Sequence, residues 1–265
     1  RTPLPAAILR ALPNLRLVVT TGPRNASIDI AAARDCGITV CSTESSKTTT
    51  SELAVLMMLA LNRRLIPEAA GLNAGGWQTG LGRDLAGLRL GLVGLGTIGA
   101  QMAGFGRAFG MEVSAWSSNL SQSRCDDLGV ARAASLHRLM EVSDVVSVHL
   151  VLSDRTRGLM DAAAFAAMKP GAVFLNTSRA PIHDSAALLA GLRRGHPAMA
   201  GIDVFDTEPL PADDPLRDAE LIDSGRLLLT PHLGYATEAT FRLFYSQTVE
   251  AVRAFQSGAP IRVLA

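Results

Sequence analysis

Gly94, Gly96 and Gly99 stand in G-x-G-x-x-G spacing inside the run Leu-Gly-Leu-Val-Gly-Leu-Gly-Thr-Ile-Gly at 90–99. Glycines so spaced suit one piece of chemistry, the holding of a pyrophosphate. Gly94 permits a tight bend, Gly96 lets the main chain come close to an anion, and Gly99 lets the next helix approach the sheet. The helix start then offers N–H groups and the positive end of its dipole to the phosphates. This requires a buried strand before the turn and a helix after it. The apolar run 88–93 supplies the first, and Ile98, Met102, Phe105 and Phe109 recur at helical spacing. Glycine-rich turns also serve as plain connections, but with these flanks the turn reads as a dinucleotide site.

Three later segments each follow a predicted strand: Asn176-Thr177-Ser178-Arg179-Ala180, Gly201-Ile202-Asp203-Val204-Phe205-Asp206-Thr207-Glu208-Pro209, and Thr230-Pro231-His232-Leu233-Gly234-Tyr235. In a doubly wound sheet, ligands bind at the carboxyl ends of the strands, where these segments fall. The elements needed to position them are legible as alternation. Short apolar runs at 15–20, 38–41, 88–93, 112–116, 145–149, 172–176, 199–204 and 227–230 read as strands. Helical patterns at 28–35, 51–65, 135–140, 162–168, 185–194 and 238–255 come between or after them. That alternation predicts an α/β fold with a parallel sheet and crossover helices.

The bulk numbers bound what else the chain could be. At 265 residues, 48% apolar and 18% charged, it is long and apolar enough for one large or two moderate domains. A net charge of +1 gives no electrostatic case for nucleic acid or an acidic membrane as partner. The apolar run 53–61 is far short of the roughly 20 residues that span a bilayer. We expect no charged-then-apolar leader. Cys36, Cys41 and Cys125 form no C-x-x-C pair. We therefore expect reduced thiols, no metal and a cytoplasmic location.

In this order, after the glycine turn, the three segments resemble the D-isomer-specific 2-hydroxyacid dehydrogenases. That family includes glyoxylate/hydroxypyruvate reductases, D-lactate dehydrogenases and phosphoglycerate dehydrogenases. The likeness extends to Gly22 with Ile28-Asp29, to Ser51-Glu52-Leu53, and to His149-Leu150 with Thr156-Arg157-Gly158. The resemblance implies that Arg179 binds substrate, that His232 is the acid/base and that Glu208 is its carboxylate partner. The physics suits these roles. A guanidinium fork holds a keto-acid oxygen with defined geometry. Imidazole exchanges protons near neutral pH, and a neighbouring carboxylate stabilises its charged form.

The resemblance further assigns Thr97, Ile98, Leu150, Val151, Thr156, Thr177, Ser178 and Gly234 to the cofactor, with the three glycines, Arg179 and His232. Asp203 is expected near the nicotinamide amide, or else as a turn cap. The substrate carboxylate is expected at Gly22-Pro23-Arg24, although Pro23 has no N–H to give. At the end of strand 112–116, Ser117-Ser118-Asn119 stand where NAD-specific relatives carry an acid. The expected cofactor is NAD(P), with NADP slightly favoured.

We expect a doubly wound parallel (Rossmann) NAD(P)-binding domain at 77–237. A smaller flavodoxin-like α/β substrate domain is expected at 1–76, completed by 238–265 and N-terminally incomplete, with the glycine-rich stretch 71–87 as connection. The implied activity is hydride transfer between NAD(P)H and a small 2-keto acid, by a homodimer with helix 53–61 either in the interface or internal. His183 is read as structural or solvated. A nucleotide-sensing co-repressor-like binding protein and a formate-dehydrogenase-like enzyme are the competing functions. The second would call for glutamine in place of Glu208. A methyltransferase would leave Arg179, Glu208 and His232 unexplained.

Overall fold

Nine short strands organise the chain: β1 (Leu17–Thr20), β2 (Thr39–Ser42), β3 (Arg89–Val93), β4 (Glu112–Trp116), β5 (Ala131–Arg132), β6 (Val145–Val148), β7 (Val173–Asn176), β8 (Met199–Ile202) and β9 (Leu227–Leu229). The computed structural model describes residues 2–265. It divides into two compact units, Thr48–Gly234 and the residues up to Lys47 together with Tyr235–Ala265.

In the larger unit seven strands form one parallel sheet in the order β5-β4-β3-β6-β7-β8-β9. The order reverses between β3 and β6, and such a switch point opens a crevice at the carboxyl ends of the strands. β6 and β7 are buried along their whole length, as strands covered on both faces must be. Side chains alternate between two apolar layers. Val146, Val148 and Phe174 pack with Phe165, Leu188 and Leu192 on one face. Val145, Val173 and Leu175 pack with Met57, Leu61 and Met102 on the other.

The stretch before β3 differs from the sequence expectation. The predicted helix 51–65 ends at Asn62, Arg64 adopts a left-handed conformation, and a second helix runs Leu65–Asn73. Pro67 lies in the first turn of that second helix, where proline is tolerated because the first-turn N–H groups have no helical partner anyway. Helix Thr49–Asn62 packs on β7, β8 and helix Thr97–Ala108, and so belongs to the larger unit. The first division therefore falls at 47/48 and not at 76/77. The supposed connection is also pinned. Arg83 donates twice to Asn62 Oδ1 (3.1 and 2.7 Å) and once to the Gly171 carbonyl (2.9 Å).

In the smaller unit β1 and β2 pair in parallel, Leu17 opposite Thr39. Asp29 caps helix Ile30–Asp35 by accepting from Ala32 N–H at 2.9 Å. Leu9, Ile28, Ala33, Ile38 and Val40 form its core. The long helix Glu238–Gln256 belongs to this unit, and beyond it Val263 bridges antiparallel to Cys41.

Candidate active site

The glycine turn joins β3 to helix Thr97–Ala108 at the switch point. Gly94 has φ +107°, and a Cβ there would meet the His149 carbonyl oxygen at 2.6 Å. A Cβ on Gly99 would run into the Gly94 carbonyl, so the helix can close on the turn only with glycine here. At Gly96 a Cβ would meet open space. Gly96 is also the residue capping the helix start, and it offers no side chain to the first-turn N–H groups. Thr97 and Ile98 form that first turn. The site therefore leaves room and donors for an anion.

Neighbouring strand ends supply the rest of the crevice. After β4, Ser117 is half-buried and Ser118 and Asn119 are exposed, with no carboxylate among them. Arg124, from the following helix, donates through Nε to the Leu95 carbonyl of the glycine turn at 3.3 Å. Arg155 reaches Asn119 Oδ1 at 3.4 Å. After β6, Val151 is exposed, whereas the Thr156 hydroxyl is engaged within its own loop. It donates to the Val151 carbonyl (2.9 Å) and accepts from Ser153 N–H (2.8 Å). His149 Nε2 and Thr177 Oγ1 are buried without a hydrogen-bond partner. Burial pushes the His149 imidazole down to about 4. The glycine cradle and two orphaned polar atoms at adjacent strand ends fit a bound dinucleotide.

β7 ends at Asn176 and runs on into Thr177-Ser178-Arg179. Ser178 Oγ donates to the Val148 carbonyl at 2.7 Å, which ties this turn to β6. Arg179 Nη1 donates to the Ser178 carbonyl at 2.6 Å. The segments after β8 and β9 meet each other directly. His232 Nδ1 lies 2.7 and 2.9 Å from the two Glu208 carboxylate oxygens, and Phe205 N–H donates to Glu208 Oε1 at 3.1 Å. Burial raises the Glu208 pKa, but the His232 and Phe205 hydrogen bonds win and hold it below the usual carboxylate range.

Asp203, expected beside the cofactor or as a turn cap, is wholly buried and serves the loop that carries His232. Its Oδ1 accepts from the Thr230 hydroxyl (2.6 Å) and Leu233 N–H (2.7 Å), and its Oδ2 from Gly234 N–H (2.9 Å). Burial outweighs these bonds and raises its pKa. Between those anchors His232 has φ +54°, a left-handed conformation that a non-glycine residue adopts only when its surroundings impose it. Arg179, Glu208 and His232 thus come from three neighbouring strands, β7, β8 and β9, at one carboxyl edge.

Gly22, Pro23 and Arg24 lie in the smaller unit, in the loop after β1. Gly22 has φ +88°, and its N–H donates to Thr43 Oγ1 at 2.7 Å. Arg24 is exposed. Sequence reasoning quoted Asn176 within its motif but gave it no role; its amide binds three backbone or ring atoms around Arg179, contacts that residue type and spacing do not reveal. Among the described residues, no group of three His, Cys, Asp or Glu is placed to hold a metal.

A doubly wound sheet with a glycine phosphate turn at its switch point, and an imidazole–carboxylate pair at the same edge, defines a dinucleotide-binding α/β protein. The chain belongs to the D-isomer specific 2-hydroxyacid dehydrogenase family. The family model described as "D-isomer specific 2-hydroxyacid dehydrogenase, NAD binding domain" matches residues 55–234. The chain is 34% identical over 263 residues to glyoxylate reductase of Korarchaeum cryptofilum, covering 97% of this chain and 77% of that protein. It is 33% identical over 260 residues to D-3-phosphoglycerate dehydrogenase of Mycobacterium leprae, where 97% of this chain spans 48% of the relative, about half its length. Phosphoglycerate oxidoreductase of Vibrio cholerae is structurally similar. Its TM-score is 0.90 at 36% identity, covering 97% of this chain and 82% of that one.

Proposed function

We propose that this protein is a nicotinamide-dependent D-2-hydroxyacid dehydrogenase that reduces a small 2-keto acid of the glyoxylate or hydroxypyruvate type. The observation that carries the reading is the His232–Glu208 pair at 2.7 Å beside the glycine turn's sheet edge. When bound, the dinucleotide supplies a hydride to the keto carbon. Arg179 holds and orients the substrate carboxylate or keto oxygen through its planar fork. His232 keeps its Nδ1 proton on Glu208, which leaves Nε2–H to protonate the oxygen as it becomes an alkoxide. The carboxylate stabilises the imidazolium before transfer, and the neutral ring that remains keeps the same Nδ1–H bond. Asp203 holds the His232 loop in place.

The substrate carboxylate is assigned to the Gly22-Pro23-Arg24 loop. Arg24 there supplies a positive contact in place of the N–H that Pro23 lacks. NADP is favoured over NAD, because no carboxylate at 117–119 repels a 2′-phosphate, Arg155 reaches Asn119 in that loop and Arg124 bonds the Leu95 carbonyl of the glycine turn. A homodimer is favoured by the exposure of Leu56, Leu65, Ile66, Leu72, Trp77 and Leu81 in one stretch of chain. Helix Thr49–Asn62 itself is largely internal to its unit. We place the protein in the cytosol, where its three free thiols stay reduced. The formate-dehydrogenase-like reading is disfavoured by Glu208, since a glutamine would not neutralise His232.

The test is a panel of 2-keto acids assayed with NADH and NADPH side by side. Turnover of glyoxylate or hydroxypyruvate, faster per KM with NADPH, is the expected result. Binding of dinucleotide with no turnover of any keto acid would favour a nucleotide-sensing protein instead. A higher kcat/KM for NADH would overturn the cofactor preference.

A further inference from the structure

His183 is 4% exposed and lies outside the set of residues assigned to the reaction. Its Nδ1 is 3.0 Å from Asn176 Nδ2, and its Nε2 is 3.3 Å from Ser185 Oγ. The Asn176 amide is oriented without ambiguity, because its Oδ1 accepts from Ser178 N–H at 2.9 Å. The amide NH2 therefore has two protons to place. One goes to the Arg179 carbonyl at 3.0 Å and the other to His183. A donor facing Nδ1 requires that nitrogen to be the bare acceptor of a neutral imidazole. The ring proton then sits on Nε2 and points to Ser185.

The histidine is itself clamped. Its backbone N–H bonds the Ala180 carbonyl at 2.9 Å, its ring packs against Phe174 with centroids 5.9 Å apart, and it forms a parallel bridge with Met160. Asn176 is fully buried, so any donor of its amide left unmet would cost the turn its defined shape. We infer that His183 is a positioning residue for Arg179, acting through Asn176 to fix the strand-end turn 176–179 from which the guanidinium projects. A hydrophobic residue at 183 would fill the space and still leave one Asn176 proton without an acceptor. An asparagine would keep an acceptor near the position of Nδ1.

The inference rests on the dehydrogenase reading only for its kinetic readout. In the full chain, His183→Leu is expected to raise KM for glyoxylate about tenfold or more, the effect of leaving one buried donor unpaired. Its kcat should fall less, and its NADPH dissociation constant, read by fluorescence quenching, should stay near that of wild type. His183→Asn is expected to recover most of the lost KM. Equal impairment of both variants, or wild-type KM in His183→Leu, would overturn the inference. If wild type turns over no 2-keto acid, the functional reading fails alone. Hydrogen exchange at the Ser178 amide then decides, with faster exchange in the Leu variant only as the supporting result and no difference as the refuting one. Should His183→Leu fail to fold, the wild-type imidazole 15N spectrum stands in its place. A proton on Nε2 supports the inference, and a proton on Nδ1 refutes it.

Discussion

At the scale of single residues, the proposed chemistry concentrates on His232 and Glu208. His232→Ala removes the proton donor while leaving the glycine turn untouched. It is expected to lower kcat by about 10²–10⁴-fold with little change in dinucleotide dissociation constant. Steady-state kinetics alongside fluorescence titration checks both halves of that statement. Glu208→Gln keeps an oxygen to accept from Nδ1–H but gives up the charge that stabilises the imidazolium, so kcat should drop while KM moves little. Because the bonds to His232 and Phe205 hold the Glu208 carboxyl below its ordinary range, the pair stays intact until pH falls below the usual carboxylate value. An acid limb of kcat that disappears in Glu208→Gln is the signature to seek. The candidate residues themselves were readable from their ordered motifs. That the two side chains meet through Nδ1 was not, since 24 positions separate them in the chain.

At the scale of elements, the loop after β9 depends on one buried acid. Asp203 accepts three hydrogen bonds from Thr230, Leu233 and Gly234, and it fixes the left-handed His232 between them. Asp203→Asn would turn an NH2 group towards a backbone N–H. The expected cost is about 1–3 kcal/mol of stability, with a fall in kcat from the loosened loop. Urea unfolding and kinetics on one sample would separate the two effects, and an unaffected kcat would show that the loop holds itself. Pattern in the sequence found every strand but one and most helices, because burial on both faces leaves continuous apolar runs. It missed helix Leu65–Asn73, since Pro67 reads as a terminator until its place in the first turn is known. It also missed β5, whose two residues are too few to carry a period.

At the scale of the whole molecule, acid stability follows from two neutral histidines. Burial pushes His149 and His183 down to about 4, whereas in an unfolded chain each would titrate at the ordinary histidine value. Between the ordinary value and 4 the unfolded chain binds protons that the folded chain does not. Stability is therefore expected to fall as pH drops through that window, by about 1.4 kcal/mol per pH unit for each histidine at most. Asp203, with its raised carboxyl, works in the opposite sense at the acid end. Urea midpoints measured from pH 7 to 4 check the slope, and replacing His183 should reduce it. The exposed apolar stretch at 56–81 leads to a further expectation, a dimer by light scattering whose dissociation follows Trp77→Asp or Leu81→Asp. A monomeric wild type would dispose of it.

The amino-acid sequence determined what local rules can encode: the glycine turn, the alternation of strands and helices, and the types of residue at each strand end. These depend on neighbours a few positions apart, through backbone sterics and periodic burial. Tertiary structure alone decided that Asp203 holds a loop, that Thr49–Asn62 belongs with the larger sheet, and that His183 faces the amide of Asn176. Each of those facts depends on which buried groups meet, apolar faces or donor and acceptor, once the strands are side by side. No short stretch of chain contains both partners together with the burial that makes their pairing obligatory.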